Sequence, residues 1–138
     1  MIKIRWALLC NDVEKNDDNT SGNLIGVTEG FVSPTVPFSI GQLVVALGLQ
    51  FSGNGISELS VILRFVETGD LIFRSEPNDH RLEARESSKA FNFIYPIYIH
   101  HIVLPRFGEY YLEILIDGRT AHFNSYNLRR GERFETKL

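Results

Sequence analysis

The sequence predicts an all-β protein, an antiparallel two-sheet sandwich of about eight strands, immunoglobulin-like or C2-like, in one domain over residues 1–138. Three observations carry this expectation. Apolar and polar residues alternate with a period of two through most of the chain. Clusters of Gly, Pro, Asn, Asp and Ser separate the alternating runs at short intervals. No run has the apolar spacing of a long amphipathic helix. Short half-buried strands in a chain of 138 residues hide their apolar faces most simply by stacking two sheets.

The stretch 108–123, GEYYLEILIDGRTAHF, states the pattern most clearly. Tyr110, Leu112, Ile114 and Ile116 alternate with Glu109, Glu113 and Asp117, which makes one face apolar and the other mostly polar. Asp117-Gly118 then reads as a two-residue hairpin turn, because such turns need positive φ and Gly supplies it without strain.

The remaining elements follow in chain order. Residues 2–10 predict a first strand with Ile2, Ile4, Trp6, Leu8 and Cys10 on one face and Lys3 and Arg5 on the other. Residues 11–22, NDVEKNDDNTSG, read as a polar, acidic loop. Residues 23–33 resume as a strand in which Gly26 and Gly30 mark a bulge or a close backbone approach. Pro34 and Pro37 make the next segment an extended crossing. QLVVALGLQF at 42–51 is nearly all apolar, so it is expected to be central and covered on both faces.

SGNG at 52–55 is a turn. Over 57–67, Leu59, Val61, Leu63 and Phe65 point inward and Glu58, Ser60 and Arg64 outward, and a turn at Thr68-Gly69-Asp70 leads to a hairpin partner at 71–75. The segment 76–90 is open between two readings. Asn78 or Asp79 could cap a short helix, but Leu82 is its one large apolar residue, so an exposed connector fits equally. Residues 91–102 form a strand with Phe91, Phe93, Tyr95, Ile97 and Ile99 on one face, and Pro96 suggests an edge position or a bulge. LPRFG at 104–108 turns the chain into the last hairpin, and the tail after Asn127 frays unless Leu128 and Phe134 dock it.

Composition bounds the class of function. With 43% hydrophobic and 22% charged residues the chain is an ordinary globular one. At this length roughly 68% of the unfolded surface is buried, so no metal or disulfide staple is required. A net charge of −3 does not favour nucleic acid or anionic membranes. Arg119, Arg129, Arg130, Arg133 and Lys137 outnumber Glu132 and Glu135 near the end, which reads as a solvated terminus rather than a binding arm. The single cysteine, Cys10, excludes an internal disulfide and is expected to be buried and inert. MIKIRWALLCNDV reads as a strand, not a signal peptide, and the longest apolar stretch, 93–104, is too short to span a bilayer, so a cytoplasmic location is expected.

Three pieces together, WALLCNDV at 6–13, LIGV at 24–27 and FGEYYLEILIDG at 107–118, resemble a family of small uncharacterised bacterial sandwich proteins. Such proteins open with a Trp-containing strand and an acidic turn and close with a Gly-Glu-Tyr strand ending at Asp-Gly. The Gly-Glu-Tyr signature is similar to one in immunoglobulin-like and C2-like sandwiches. The resemblance implies a fold and a bacterial cytoplasmic setting. It implies no activity, and no catalytic residue carries over.

The chemistry-bearing residues are weighed singly. Asp17, Asn19, Ser21 and Gly22 match the opening of a calcium loop, with oxygen ligands at alternate positions and Gly at the sixth. The bidentate closing ligand is missing, because Thr28 stands where Glu is needed. Asp12, Glu14, Asp17 and Asp18 could still gather at the end of a C2-type sandwich, but a solvated turn explains the same residues. His100 and His101 point to opposite faces of a regular strand and cannot share a metal without a bulge. His80 and His122 cannot be placed near them from sequence. No Ser sits in a nucleophile elbow, and Glu83 and Glu86 lie together only within a polar connector.

Among Tyr95, Tyr98, Tyr110, Tyr111 and Tyr126, Tyr98 and Tyr111 have the parity opposite their strands' apolar faces. Ile94 and Ile102 share the Tyr98 face and are too apolar to leave wet, so a loop or the connector is expected to cover it. The sequence therefore nominates no catalytic, cofactor-binding or metal-ligating residue and no cofactor. It favours a non-enzymatic protein-binding or assembly module, with a homo-oligomer or partner protein contacted through 91–102. The alternative is a calcium- or ligand-responsive C2-like module using the 11–22 loop.

Overall fold

The structure, a computed structural model, describes residues 2–17, 21–53, 55–76, 79–84 and 91–131. In chain order its strands are β1 (Ile2–Cys10), β2 (Asp12–Lys15), β3 (Gly22–Ile25), β4 (Gly30–Ser33), β5 (Phe38–Phe51), β6 (Gly55–Phe65), β7 (Leu71–Arg74), β8 (His80–Ala84), β9 (Phe91–Leu104), β10 (Gly108–Ile116) and β11 (Arg119–Arg130). The described residues contain no helix. They form a three-stranded sheet in the order β1-β5-β9, a six-stranded sheet in the order β4-β11-β10-β6-β7 with β8 also on β6, and a small β2-β3 sheet.

One apolar core joins the two larger sheets. Ala7, Leu9, Val45, Leu47, Ile97 and Ile99 from the three-stranded sheet meet Val61, Leu63, Phe65, Leu112, Ile114 and Leu128 from the six-stranded one. The final hairpin forms as the alternation requires, with Asp117 at φ 50° and Gly118 at φ 80° in its turn. β6 and β7 make the second expected hairpin. Tyr110 is buried, and its hydroxyl donates to the Arg106 carbonyl at 2.6 Å and accepts from the Arg106 N–H at 3.1 Å. One side chain thus ties the entry to β10 back onto itself, as tyrosine corners do in β-sandwiches.

Two local irregularities decide which side chains reach that core. In β1 the pairing with β5 slips between Ile4 and Trp6, so Arg5 is an extra residue. The expected single face of Ile2, Ile4, Trp6, Leu8 and Cys10 is therefore wrong. Ile2, Ile4, Ala7 and Leu9 face the main core, and Trp6 and Cys10 turn the other way. A bulge reverses parity, and nothing in the apolar pattern announces it. In β9, His101 takes φ 58°, and neither it nor Gly41 keeps a partner where the flanking pairs Ile40–Ile102 and Gln42–His100 do. Ile99 and Ile102 consequently both face the main core, so Ile102 does not share the Tyr98 face as expected.

β5 is covered on both sides, as its unbroken apolar run requires. Its outer face, Val44 and Ala46, packs with Cys10 and Val13, and Trp6, Leu24 and Ile94 close over this second cluster. The cover is the β2-β3 hairpin, whose first strand lies in the segment 11–22 expected to be a loop and whose second runs from Gly22 into the expected strand. A methyl group on Gly48 would overlap the Trp6 indole, so the ring lies directly against the β5 backbone.

Other expectations need correction. The described residues form eleven strands in three sheets rather than about eight in two. The predicted strand 23–33 is two strands in different sheets, β3 on β2 and β4 on β11. The β4-β11 pair is parallel, so the sheets are not wholly antiparallel. Gly26 adopts φ 67° between the two halves, where the chain leaves one sheet for the other. Within 76–90, His80–Ala84 is a strand on β6 rather than a helix or connector, while Asn78 and residues 85–90 lie outside the described residues. β11 continues past Asn127 to Arg130 with Leu128 buried, and Phe134 lies outside the described residues.

Candidate functional site

β9 is an edge strand. Its one ladder among the described residues is with β5, and the opposite edge carries no strand pairing. From 91 to 104 it contains no Asp, Glu, Lys or Arg. Natural edges are normally blunted by charge, short length, proline or bulges. β9 has a proline and a kink but no charge. Tyr98 is 43% and Val103 47% exposed along it, and His100 and His101 are exposed.

The other edge of the same sheet is treated differently. β1 carries Lys3 and Arg5. Thr28 N–H donates to the Leu9 carbonyl at 2.9 Å, Asn11 N–H to the Ile25 carbonyl at 2.8 Å, and the Asn124 side-chain amide to the Ala7 carbonyl at 3.3 Å. The β1 edge is thus capped by the 25–28 segment and by β11.

Tyr98 is held from the β2-β3 side. Its hydroxyl bonds to the Asp12 carboxylate, and burial together with that negative charge pushes the phenol above its ordinary range. The Gln42 side-chain amide donates to the Asn11 carbonyl at 2.9 Å and fixes the start of β2 beside the same end of the sheet. The aromatic ring is thereby presented on a braced surface.

The acidic loop does not assemble as a cation site from its described residues. Asp12 is engaged by Tyr98 and by the Val13 N–H at 2.8 Å, and Asn16 bonds to Ser21 across the hairpin. Glu14 and Asp17 are exposed, while Asp18 and Asn19 lie outside the described residues. Among the described residues no group of three or more His, Cys, Asp or Glu converges as metal ligands.

The His101 kink removes the objection that His100 and His101 must point apart, yet no third ligand joins them among the described residues. His80 and Tyr95 make a polar pair between the two large sheets, with Nδ1 2.9 Å from the phenol oxygen and the rings edge-on at 5.8 Å. Burial lowers the His80 pKa, against the opposing charge of Asp79. The fold therefore favours neutral imidazole, a contribution present above the ordinary histidine pKa and lost as pH falls through the lower folded value. We expect Tm to drop more between about pH 7 and about pH 5 in the wild type than in His80→Gln. Equal slopes in thermal melts of the two proteins would refute this.

Cys10 is buried in the second cluster, and burial pushes its thiol above the ordinary value, which disfavours the reactive thiolate. His122 faces inward opposite Ile114, and its Nε2 is buried without a hydrogen-bond partner among the described residues. Tyr111 stacks on Phe123, 56% exposed, on the outer face of the six-stranded sheet at 5.3 Å. That face is cross-linked by Glu113 to Thr120 at 3.0 Å and by Glu109 to Ser125. Glu83 lies exposed on β8, and Glu86 lies outside the described residues. An interior void of about 10 Å³ is lined by apolar side chains and by Tyr110 and Tyr126, far below the size of a ligand site.

Sequence reasoning missed the Asp12–Tyr98 and His80–Tyr95 partnerships and the orphaned His122 nitrogen. The two partnerships join strands of different sheets, the placement of His122 follows the register slip in the β10-β11 hairpin, and no local motif signals any of the three. The described residues contain no helix long and apolar enough to cross a membrane. A family model described only as a family of unknown function, DUF6941, matches residues 5–129, which reach from β1 into β11. No curated protein matches the chain.

Proposed function

We propose that this chain, which belongs to the DUF6941 family of unknown function, is a non-enzymatic binding or assembly module that takes its partner along the outer edge of β9. The observation that carries the reading is the contrast between the two edges of one sheet. β1 is charged and capped, and β9 is long and uncharged, with strand pairing among the described residues on its β5 side alone. Strand addition to such an edge draws affinity from main-chain hydrogen bonds and specificity from alternate side chains. The scaffold is an immunoglobulin-like or C2-like sandwich, a reading supported by the shared core and the Tyr110 corner. The scatter of the chemistry-bearing side chains supports the absence of catalysis. Cys10 lies in the second cluster, His80 lies between the sheets, and His100 and His101 lie at the β9 edge.

The test is a Tyr98→Lys/Val103→Lys double variant, which adds to the edge the charge it lacks. Light scattering and affinity capture from the source cells are expected to show association for the wild type and its loss in the variant. A strictly monomeric wild type with no captured partner would end the proposal. The calcium reading of the 11–22 loop makes a separate prediction, since a bound cation raises Tm by linkage. With Asp12 engaged by Tyr98, we expect thermal melts to be unchanged in millimolar calcium, and a rise would restore that reading.

A further inference from the structure

We infer that the strand added to β9 is β9 of a second copy of this chain, in a short antiparallel pairing about a two-fold axis at Ile99. This rests on the edge reading above and names its partner. Pro96 stands opposite Ala46 in the β5-β9 ladder. Proline has no N–H to give, so this pair is of the kind that leaves its own backbone groups turned away from the neighbouring strand. The same phase holds at Tyr98, opposite Val44, and at His100, opposite Gln42. Both residues therefore direct backbone N–H and C=O outward.

A two-fold axis at Ile99 sets Tyr98 opposite His100 of the partner subunit, and His100 opposite the partner's Tyr98. Each such pair exchanges both of its N–H···O=C bonds. The next outward position on one side is Pro96, which cannot donate, and on the other the His101 kink at φ 58° ends the regular edge. The two-fold pairing is therefore confined to Tyr98 and His100, whose outward backbone groups identical segments satisfy mutually. Pairing closes as a dimer instead of propagating as a filament. Because β9 carries no Asp, Glu, Lys or Arg, self-pairing sets no like charges opposite one another. The Tyr98 ring, exposed and braced by Asp12, comes to lie beside the partner's imidazole.

Sedimentation velocity on the full chain is expected to give twice the 15.7 kDa chain mass for the wild type. His100→Pro removes the outward N–H, together with the imidazole, and leaves every donor to β5 in place, so it is expected to halve that mass with an unchanged circular dichroism spectrum. Register is read by mixing Tyr98→Cys with His100→Cys protein under mild oxidation. Directly opposed strand positions fall within disulfide reach, so a cross-linked dimer should form in the mixture and not in either variant alone. If His100→Pro does not fold, the cysteine mixture decides. A wild-type dimer that survives His100→Pro, or cross-links equally in the single variants, overturns the inference. A monomeric wild type also overturns it. In that case a captured partner lost with Tyr98→Lys/Val103→Lys would leave the edge reading standing, and the absence of one would end both.

Discussion

Replacing Tyr110 by Ala is expected to destabilise the fold by about 3–5 kcal/mol, and by Phe by about 1–3 kcal/mol. The residue is 1% exposed, and its ring packs on Phe65 with centroids 5.0 Å apart. Its hydroxyl serves both backbone groups of Arg106, four residues upstream. Alanine removes the ring and leaves a cavity in the shared core. Phenylalanine keeps the ring and strands the Arg106 N–H and C=O, so it isolates the corner. Urea unfolding of the two variants separates the packing from the hydrogen bonds. Tyr111→Phe on the outer face serves as the control and should fall within about 0.5 kcal/mol of wild type. A Tyr110→Phe protein as stable as that control would show that the corner contributes nothing.

Gly48→Ala is expected to cost about 1–3 kcal/mol although alanine suits a strand better than glycine. The added methyl would enter space held by the Trp6 indole, which must swing off the second cluster and uncover Val44, Ala46 and Cys10. Trp6 is the one tryptophan in the chain, so its emission should shift to the red as the ring enters water. The decisive measurement is a double-mutant cycle with Trp6→Leu. Once the indole is gone, Gly48→Ala should be neutral or stabilising, because only the entropic advantage of alanine remains. An equal cost in both backgrounds would mean that Gly48 answers to something other than Trp6.

Much of the architecture is legible in the amino-acid order. The β10-β11 hairpin, the β6-β7 hairpin and the doubly covered β5 each follow from a local signal: strict alternation, an Asp-Gly turn, an unbroken apolar run. The misreadings have local causes too. The 11–22 segment is polar because one side of its hairpin is wet, and Val13 is its one large apolar residue, packed in the second cluster with Leu24 from the strand that follows. β8 exposes Arg81 and Glu83 and offers Leu82 as its one large apolar residue, so its pattern was too thin to choose between helix and connector. The candidate edge was legible as a possibility in Pro96. Its contrast with the capped β1 edge was not, because Asn124 reaches Ala7 across 117 positions of chain.

Period-two patterning and turn chemistry act between neighbours along the chain, so the amino-acid order was enough to specify extended structure, the principal hairpins and the inward sets of β6 and β10. Parity after Arg5 and His101, the division of 22–33 between two sheets, the parallel β4-β11 pair and the identity of the cover over β5 were settled only by folding. Each depends on which strand lies opposite, and a bulge of one residue reverses every side chain beyond it without altering the apolar content that a sequence displays.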